Sequence, residues 1–386
     1  MNSVNATTYD VAIVGAGIIG ASCAFALAGE GLRVVLLDKQ EPGREASWAA
    51  GGMLSPAPFF PSDNSLAPLS RESLTLYPEF VRSIESASDL KTQLCRKGAT
   101  ELFFGVRAEL ECSEFAARCR AFNIETEQFS ADEARRQEPA ISPSAQAAVF
   151  FPSEATVEPR ALMKGLLEAA SRRGVTIRRD SEVQSIIAEG DRCRGLVAAD
   201  ERVAAQHVVI AAGCFSQALA GSHPALAPLV CTRPVRGQMM ALRTGGVTLS
   251  RAVRSSRGYV VPRTDGTIVA GSTLEEAGFE KKTTDEGLRK IRTAAAELAP
   301  NLAKAEVVES WSGLRPGTPD DLPILGAAGL DGLVVATGHF RNGILLAPIT
   351  AKLVTDLILR GETNIDTAAF SPLRFARAAA QVSSTR

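Results

Sequence analysis

The sequence predicts an α/β chain: a Rossmann-like dinucleotide-binding domain with a parallel sheet, joined to a second domain rich in strands. Three observations carry this. The first forty residues read as strand, glycine turn, helix, strand. Buried apolar strands of the same kind return at 207–211 and 333–337. Between about Arg233 and Trp311 strands dominate. At 386 residues the chain is also longer than one core organises, which fits two domains.

The N-terminal unit is the most informative. Tyr9 to Val14 (YDVAIV) is a buried parallel strand in composition, and Gly15-Ala16-Gly17-Ile18-Ile19-Gly20 is a turn. A helix follows to about Ala28, stopped by Gly29 and Gly31. Arg33 to Leu37 is the second strand, ending at Asp38. Each residue type has a chemical reason. Gly15 permits the tight turn, Gly17 leaves room for a pyrophosphate, and Gly20 lets helix and strand approach. The helix N-terminus near Ile18 and Ile19 offers free N–H groups and the positive end of a dipole to phosphates. The Asp38 carboxylate can accept hydrogen bonds from ribose hydroxyls and repels a 2′-phosphate, which argues against NADP. A GxGxxG alone is weak, but the flanking strand, helix and acid make this a dinucleotide site. The motif leaves NAD and FAD both open.

The rest of the chain follows in order. A loop of small residues spans 43–54, and Pro56, Pro58 and Pro61 hold an extended stretch. A helix is expected from about Leu69 to Ala87. The region 91–154 reads as irregular, with short strands such as Thr100–Phe104. Glu158-Pro159-Arg160 opens a helix to about Gly174, followed by strands at 175–177 and 183–187. His207–Ala211 is a buried strand ending at Ala212-Gly213. Further strands are expected at Gly237–Leu242, Gly258–Pro262 and Thr267–Gly271. Leu333 to Gly338 is another buried strand, whose loop, His339 to Gly343, leads to a helix from about Ala347 to Leu359. The last residues, about 376–386, are expected to fray.

Composition narrows the function. The net charge of −1 offers no attraction for nucleic acid or an anionic membrane, and the basic runs are no more than pairs. Seven cysteines, an odd number without a CxxC, and three histidines point away from a disulfide framework and a zinc site. Reduced thiols in a reducing compartment, the cytoplasm, are the expectation. The segment Val11 to Ala28 carries no charge. Met1 to Asp10 lacks the basic residues of a signal peptide, however, and three glycines interrupt the apolar run. It reads as strand and buried helix, not as a membrane span.

Four stretches together resemble the D-amino-acid-oxidase-like flavoprotein family, and within it the glycine oxidases of thiamine biosynthesis. They are GAGIIG with DKQEPGREASWAAGGML (38–54), YVVPRTDGTIVAGSTLEEAGFEK (259–281), WSGLRPGTPDDLPILG (311–326) and GHFRNGILLAPITAKLVTDLI (338–358). The resemblance implies FAD, held non-covalently, since no cysteine follows Cys231. It implies a discontinuous FAD domain over 1–90, 155–228 and 315–386, and a substrate domain with a large antiparallel sheet over 91–154 and 229–314. To the glycine-turn residues it adds FAD contacts at Ile18, Ile19, Asp38, Lys39, Ala46, Ser47, Gly51, Gly52, Met53 and Val183. The loop His339, Phe340, Arg341, Asn342, Gly343, Ile344 and Leu345 completes the set. The last helix would then present its positive N-terminus to the flavin pyrimidine edge.

By the same resemblance Arg315 holds the substrate carboxylate and Tyr259 assists it. An arginine taken alone is more often a surface residue, and a strand tyrosine is as often a packing residue. A guanidinium nonetheless suits a carboxylate, through two parallel hydrogen bonds. The implied reaction is oxidation of glycine, sarcosine or D-alanine by hydride transfer to flavin N5, without an acid–base residue, giving an imine and then a 2-oxo acid and ammonia. O2 is the electron acceptor and becomes H2O2. Three further implications are a homotetramer, a supply of imine to thiazole formation, and a functional link to thiazole synthase. His339, Trp48 and Trp311 are expected to be structural. Two alternatives stand beside this: a D-amino-acid or secondary-amine dehydrogenase that passes electrons to a quinone or another carrier, and an FAD-holding subunit of a hetero-oligomer. Arg315 and Tyr259 speak against the second.

Overall fold

The computed structural model describes residues 8–59, 63–243, 245–246 and 248–376. The chain opens with β1 (Tyr9–Val14), α1 (Ile18–Gly29) and β2 (Val34–Leu37), as the glycine pattern requires. A short α2 (Ala46–Ala49) and β3 (Met53–Leu54) lead to α3 (Asp63–Ser88). The segment after it is more regular than its sequence suggests: β4 (Ala99–Phe104), α4 (Ala108–Ala121), β5 (Glu127–Ser130), α5 (Ala131–Gln137) and β6 (Ala145–Phe151). Next come β7 (Ala155–Thr156), α6 (Pro159–Arg172), β8 (Thr176–Arg178), β9 (Val183–Glu189), β10 (Arg192–Ala198), β11 (Glu201–Ile210) and α7 (Ser216–Ala220). The last part holds β12 (Arg233–Arg243), β13 (Ala252–Ser255), β14 (Gly258–Pro262), β15 (Thr267–Gly271), α8 (Asp285–Leu298), β16 (Glu306–Gly317), β17 (Ile324–Ala327), β18 (Leu333–Thr337) and α9 (Gly343–Arg360).

Two large sheets organise these elements. The first has the order β17-β18-β11-β1-β2-β8, parallel from β18 to β8, with β17 antiparallel at its edge. The central stretches of its inner strands, 11–14, 34–37, 208–210 and 333–336, are apolar because both faces are covered there. On one face α1, α3, α6 and α9 pack over Val11, Ile13 and Val209. On the other, β9 and β10 extend antiparallel from β11, and Ile186 and Leu196 cover Ala12, Val14 and Val35. The second sheet runs β16-β12-β15-β14-β13-β4-β6-β5 and is antiparallel except at β13–β4. One of its faces is sealed by α8, with Ile291, Ala295 and Leu298 against Met240, Val260 and Ala270.

Several sequence expectations need correction. The helix expected from Leu69 begins at Asp63, with Pro68 and Pro78 inside it. Its polar residues anchor it to α9: Ser73 Oγ donates to the Leu345 carbonyl at 2.6 Å and Tyr77 Oη to that of Ile344 at 3.0 Å. The last helix starts at Gly343 rather than Ala347, and Pro348 lies inside it; having no N–H, it leaves the Ile344 carbonyl four residues back to accept from Tyr77 instead. β10 and α8 were not legible as separate elements. Of the proline stretch, Pro61 lies outside the described residues, as does the tail from 377.

Candidate functional site

The carboxyl ends of β1, β2, β11 and β18 meet the second sheet around a cavity of about 1120 Å³. A crevice at the carboxyl ends of parallel strands is where α/β proteins bind ligands. One end is built by the glycine turn. Gly15 has φ +97°, and a Cβ there would stand 2.5 Å from the Ala211 carbonyl oxygen. A Cβ on Gly20 would collide with the Gly15 carbonyl. Gly20 therefore lies behind the turn and holds helix to strand; it does not line the cavity, whereas Gly15, Gly17, Ile18 and Ile19 do.

Asp38 follows β2 directly. Its Oδ2 accepts from the Ala16 amide at 2.8 Å and its Oδ1 from that of Gln40 at 3.1 Å. Burial pushes its pKa up, and the two amides oppose this. Each oxygen keeps a lone pair for a hydroxyl donor. At the start of α1 the Ile18 amide donates to Ser47 Oγ at 2.9 Å, and no acidic residue stands in the first turn. A neutral hydroxyl in place of a carboxylate keeps that helix end receptive to an anion. Lys39 places its ammonium 3.2 Å above the Phe215 ring, which stacks on Phe279.

The middle of the cavity is lined by Ala46, Ser47, Gly51, Gly52, Met53 and Val183. Arg263 fastens this loop to the second sheet, donating to the Gly51 carbonyl at 2.8 Å and the Val157 carbonyl at 3.1 Å. Arg160 pairs with Glu309 through two contacts of 2.9 and 3.0 Å and lies over Trp48, while Trp311 Nε1 donates to the Ala49 carbonyl at 3.1 Å. Both tryptophans thus join the two sheets as packing residues. Residues 339–344 line the cavity at the start of α9, whose first turn carries no acid. Leu345 does not line it; its side chain is buried in the core beside α3. His339 is buried too, its Nε2 hydrogen-bonded to Thr350 Oγ1 at 3.0 Å, and burial pulls its pKa down to about 3. It is neutral and too weak a base to take a substrate proton near neutrality.

The second sheet supplies the other wall. Arg315, on β16, donates from Nη1 to the Thr273 carbonyl at 3.2 Å and from Nη2 to Ser272 Oγ at 2.7 Å. It crosses the bare backbone of Gly237 on β12, where a Cβ would collide with Nη1. Burial lowers its pKa from the ordinary arginine value; Tyr259 opposes that shift and the nearby Arg341 adds to it. The Tyr259 hydroxyl donates to Met239 Sδ at 3.3 Å, and a Cβ on Gly51 would stand 2.6 Å from it. Burial raises the Tyr259 pKa, against the charge of Arg315 and the influence of the neighbouring Ser272 hydroxyl. Ser272 thus sits beside Tyr259 while bonded to Arg315. It was not legible in the sequence, nor were Gly237 and Arg263, because their roles arise only from strand register.

This cavity fits a dinucleotide carrying a flavin. It offers a carboxylate for ribose hydroxyls and two helix N-termini without acids, α1 and α9, with glycines between them where a planar ring can approach backbone. Comparisons with known proteins agree. A family model described as FAD dependent oxidoreductase (DAO) matches residues 10–357. The chain is 34% identical to a glycine oxidase of Pseudomonas aeruginosa, over 94% of this chain and 98% of that one. It is 31% identical to a bifunctional protein ThiO/ThiG of Trichormus variabilis, over 92% of this chain and 54% of that one. The crystal structure of glycine oxidase from Geobacillus kaustophilus superposes with a TM-score of 0.90 at 32% identity, covering 95% of this chain and 99% of that one.

Proposed function

This chain belongs to the DAO family of FAD-dependent oxidoreductases, and we propose that it oxidises glycine and related small amines, such as sarcosine and D-alanine, with O2 as electron acceptor. The observation that carries the reading is the Arg315–Ser272–Tyr259 cluster, which lines the same cavity as the glycine turn and the start of α9.

FAD, when bound, supplies the oxidising chemistry: a two-electron acceptor that O2 regenerates with release of H2O2. The protein's own residues orient the substrate. Arg315, with Arg341 near it, makes a positive pole that draws a carboxylate. Thr273 and Ser272 each accept one N–H of Arg315, so its plane is set before substrate arrives. Arg315 donates into Ser272 Oγ, and Tyr259 offers its own O–H as a donor. Its acceptor is the weak Met239 sulfur, which a carboxylate oxygen readily displaces. Burial makes His339 too weak a base to take a substrate proton, and in this proposal positioning and electrostatics carry the rate. Water hydrolyses the imine product to a 2-oxo acid and ammonia, or methylamine where the substrate is sarcosine.

The same reading includes a cytoplasmic homotetramer whose imine feeds the thiazole of thiamine, in functional linkage with a thiazole synthase. The bifunctional ThiO/ThiG relative supports the last point. Among the described residues no helix is long and apolar enough to cross a membrane. The test is a peroxide assay in air with glycine, sarcosine and D-alanine. Equimolar H2O2 and ammonia are expected from glycine and D-alanine. Turnover with an artificial dye but without peroxide would favour a dehydrogenase.

A further inference from the structure

The cavity continues past Tyr259 into a limb with different chemistry. Tyr259 on β14 stands opposite Arg254 on β13, and Arg254 stands opposite Glu101 on β4. Directly opposed residues project from one face of a sheet, and all three line the cavity. Two strand spacings put Glu101 about 10 Å from Tyr259 across the sheet. Phe59, Phe103 and Phe115 supply apolar lining along this limb.

The charges here do not balance. Arg254 is matched by Glu154, with Nη1 to Oε2 at 2.5 Å and Nη2 to Oε1 at 3.1 Å, and Glu154 also accepts from Ser55 Oγ. Glu101 is a second carboxylate on the same guanidinium, its Oε2 accepting from Arg254 Nε at 2.8 Å. Among the described residues no hydrogen bond reaches its Oε1, although Glu101 is only 5% exposed. Two carboxylates facing one guanidinium leave a buried surplus of negative charge, which is costly unless a partner arrives. Burial lifts the Glu101 pKa to about 7 in spite of Arg254. A small amino acid held by Arg315 and Tyr259 makes no use of this group.

We propose that the limb is a second subsite, centred on Glu101 Oε1, that takes an ammonium group carried several atoms away from a carboxylate held at Arg315. This rests on Arg315 as the carboxylate anchor. It extends the substrate class from glycine to amino acids and N-substituted glycines with a cationic end. The groups around Glu101 are Arg254, Glu154 and Cys119, whose thiol is pushed up to about 12 and is neutral, with Glu111, Glu114 and Arg118 lining the cavity from α4. Glu101 is ionised above about pH 7, so affinity for the ammonium rises as pH rises through that value.

The experiment measures equilibrium binding to the FAD-loaded protein, read from perturbation of the flavin spectrum. The ligands have no α-amine and cannot be oxidised there: 4-aminobutanoate, 6-aminohexanoate and 8-aminooctanoate, each against its methyl-ended isostere, pentanoate, heptanoate or nonanoate. At pH 8 the best-fitting ω-amino acid binds roughly tenfold tighter than its isostere, the scale of one charged hydrogen bond. Glu101→Gln brings the pair to parity and leaves acetate binding unchanged. In the wild type the advantage shrinks between pH 8 and pH 6, a readout that holds even if the variant loses flavin. The proposal is overturned if no length prefers the ammonium, or if the preference survives both the substitution and the lower pH. If acetate itself fails to bind, or binds equally well to Arg315→Ala, the fault lies with Arg315 as the anchor and not with the subsite.

Discussion

The two walls of the cavity are built on different principles. The nucleotide wall, from Gly15 to Asp38, is backbone: a turn, a helix end and one carboxylate, all within 24 consecutive residues. The amino-acid wall is side chain: Tyr259, Ser272 and Arg315 come from separate parts of the second sheet and meet through strand register. Backbone geometry leaves a local mark in sequence, because only glycine satisfies it. A side-chain cluster leaves none, because serine or glycine at 272 or 237 is ordinary when read alone.

The contrast predicts how each wall fails. The largest effect belongs to the nucleotide wall. Gly20→Val drives a branched side chain into the Gly15 carbonyl and should cost about 3 kcal/mol or more, with loss of bound flavin. Urea midpoints and flavin content of the purified variant check this, and a stable, yellow G20V protein would break the distinction. Arg315→Ala comes next. It should keep flavin and fold while raising the apparent KM for glycine about 100-fold, the scale of two charged hydrogen bonds. Unchanged steady-state kinetics would remove Arg315 from the site.

His339 sharpens the comparison from the nucleotide side. Its folded pKa of about 3 lies below the ordinary value of 6.5, so between these the unfolded chain binds the extra proton. Its contribution is complete above pH 6.5 and is lost as pH falls toward 3, by up to about 1.4 kcal/mol per pH unit. His339→Gln should flatten that part of a stability-versus-pH curve; an unaltered slope would place the acid sensitivity elsewhere. The smallest effect is Ser272→Ala. Arg315 keeps Thr273, so the KM should rise only about fivefold, with kcat nearly unchanged. A fall in kcat with constant KM would mean that Ser272 acts on the reaction and not on the anchor.

The same distinction explains how much could be read beforehand. The β1–α1–β2 unit and the buried strands β11 and β18 were legible because their apolar runs and glycines are contiguous. α3 was legible from about Leu69 onward but not in its first six residues, since Pro68 reads as a helix break although it lies inside the helix. α8 escaped notice among strands, although Thr284 caps it by accepting from the Gly287 amide. Arg315 and Tyr259 were found through resemblance, because a guanidinium in a glycine-rich strand has no local signature of what it binds. Ser272, Gly237 and Glu101 were not found at all. Their partners lie 43 to 153 residues away in sequence, and nothing short of the sheet register joins them.

The most direct measurement is anaerobic mixing of the FAD-loaded protein with glycine, followed by the flavin absorption band. Bleaching of that band, fast in wild type and suppressed at the same glycine concentration in Arg315→Ala, is the predicted result. An unbleached flavin with glycine, sarcosine and D-alanine alike would contradict the account.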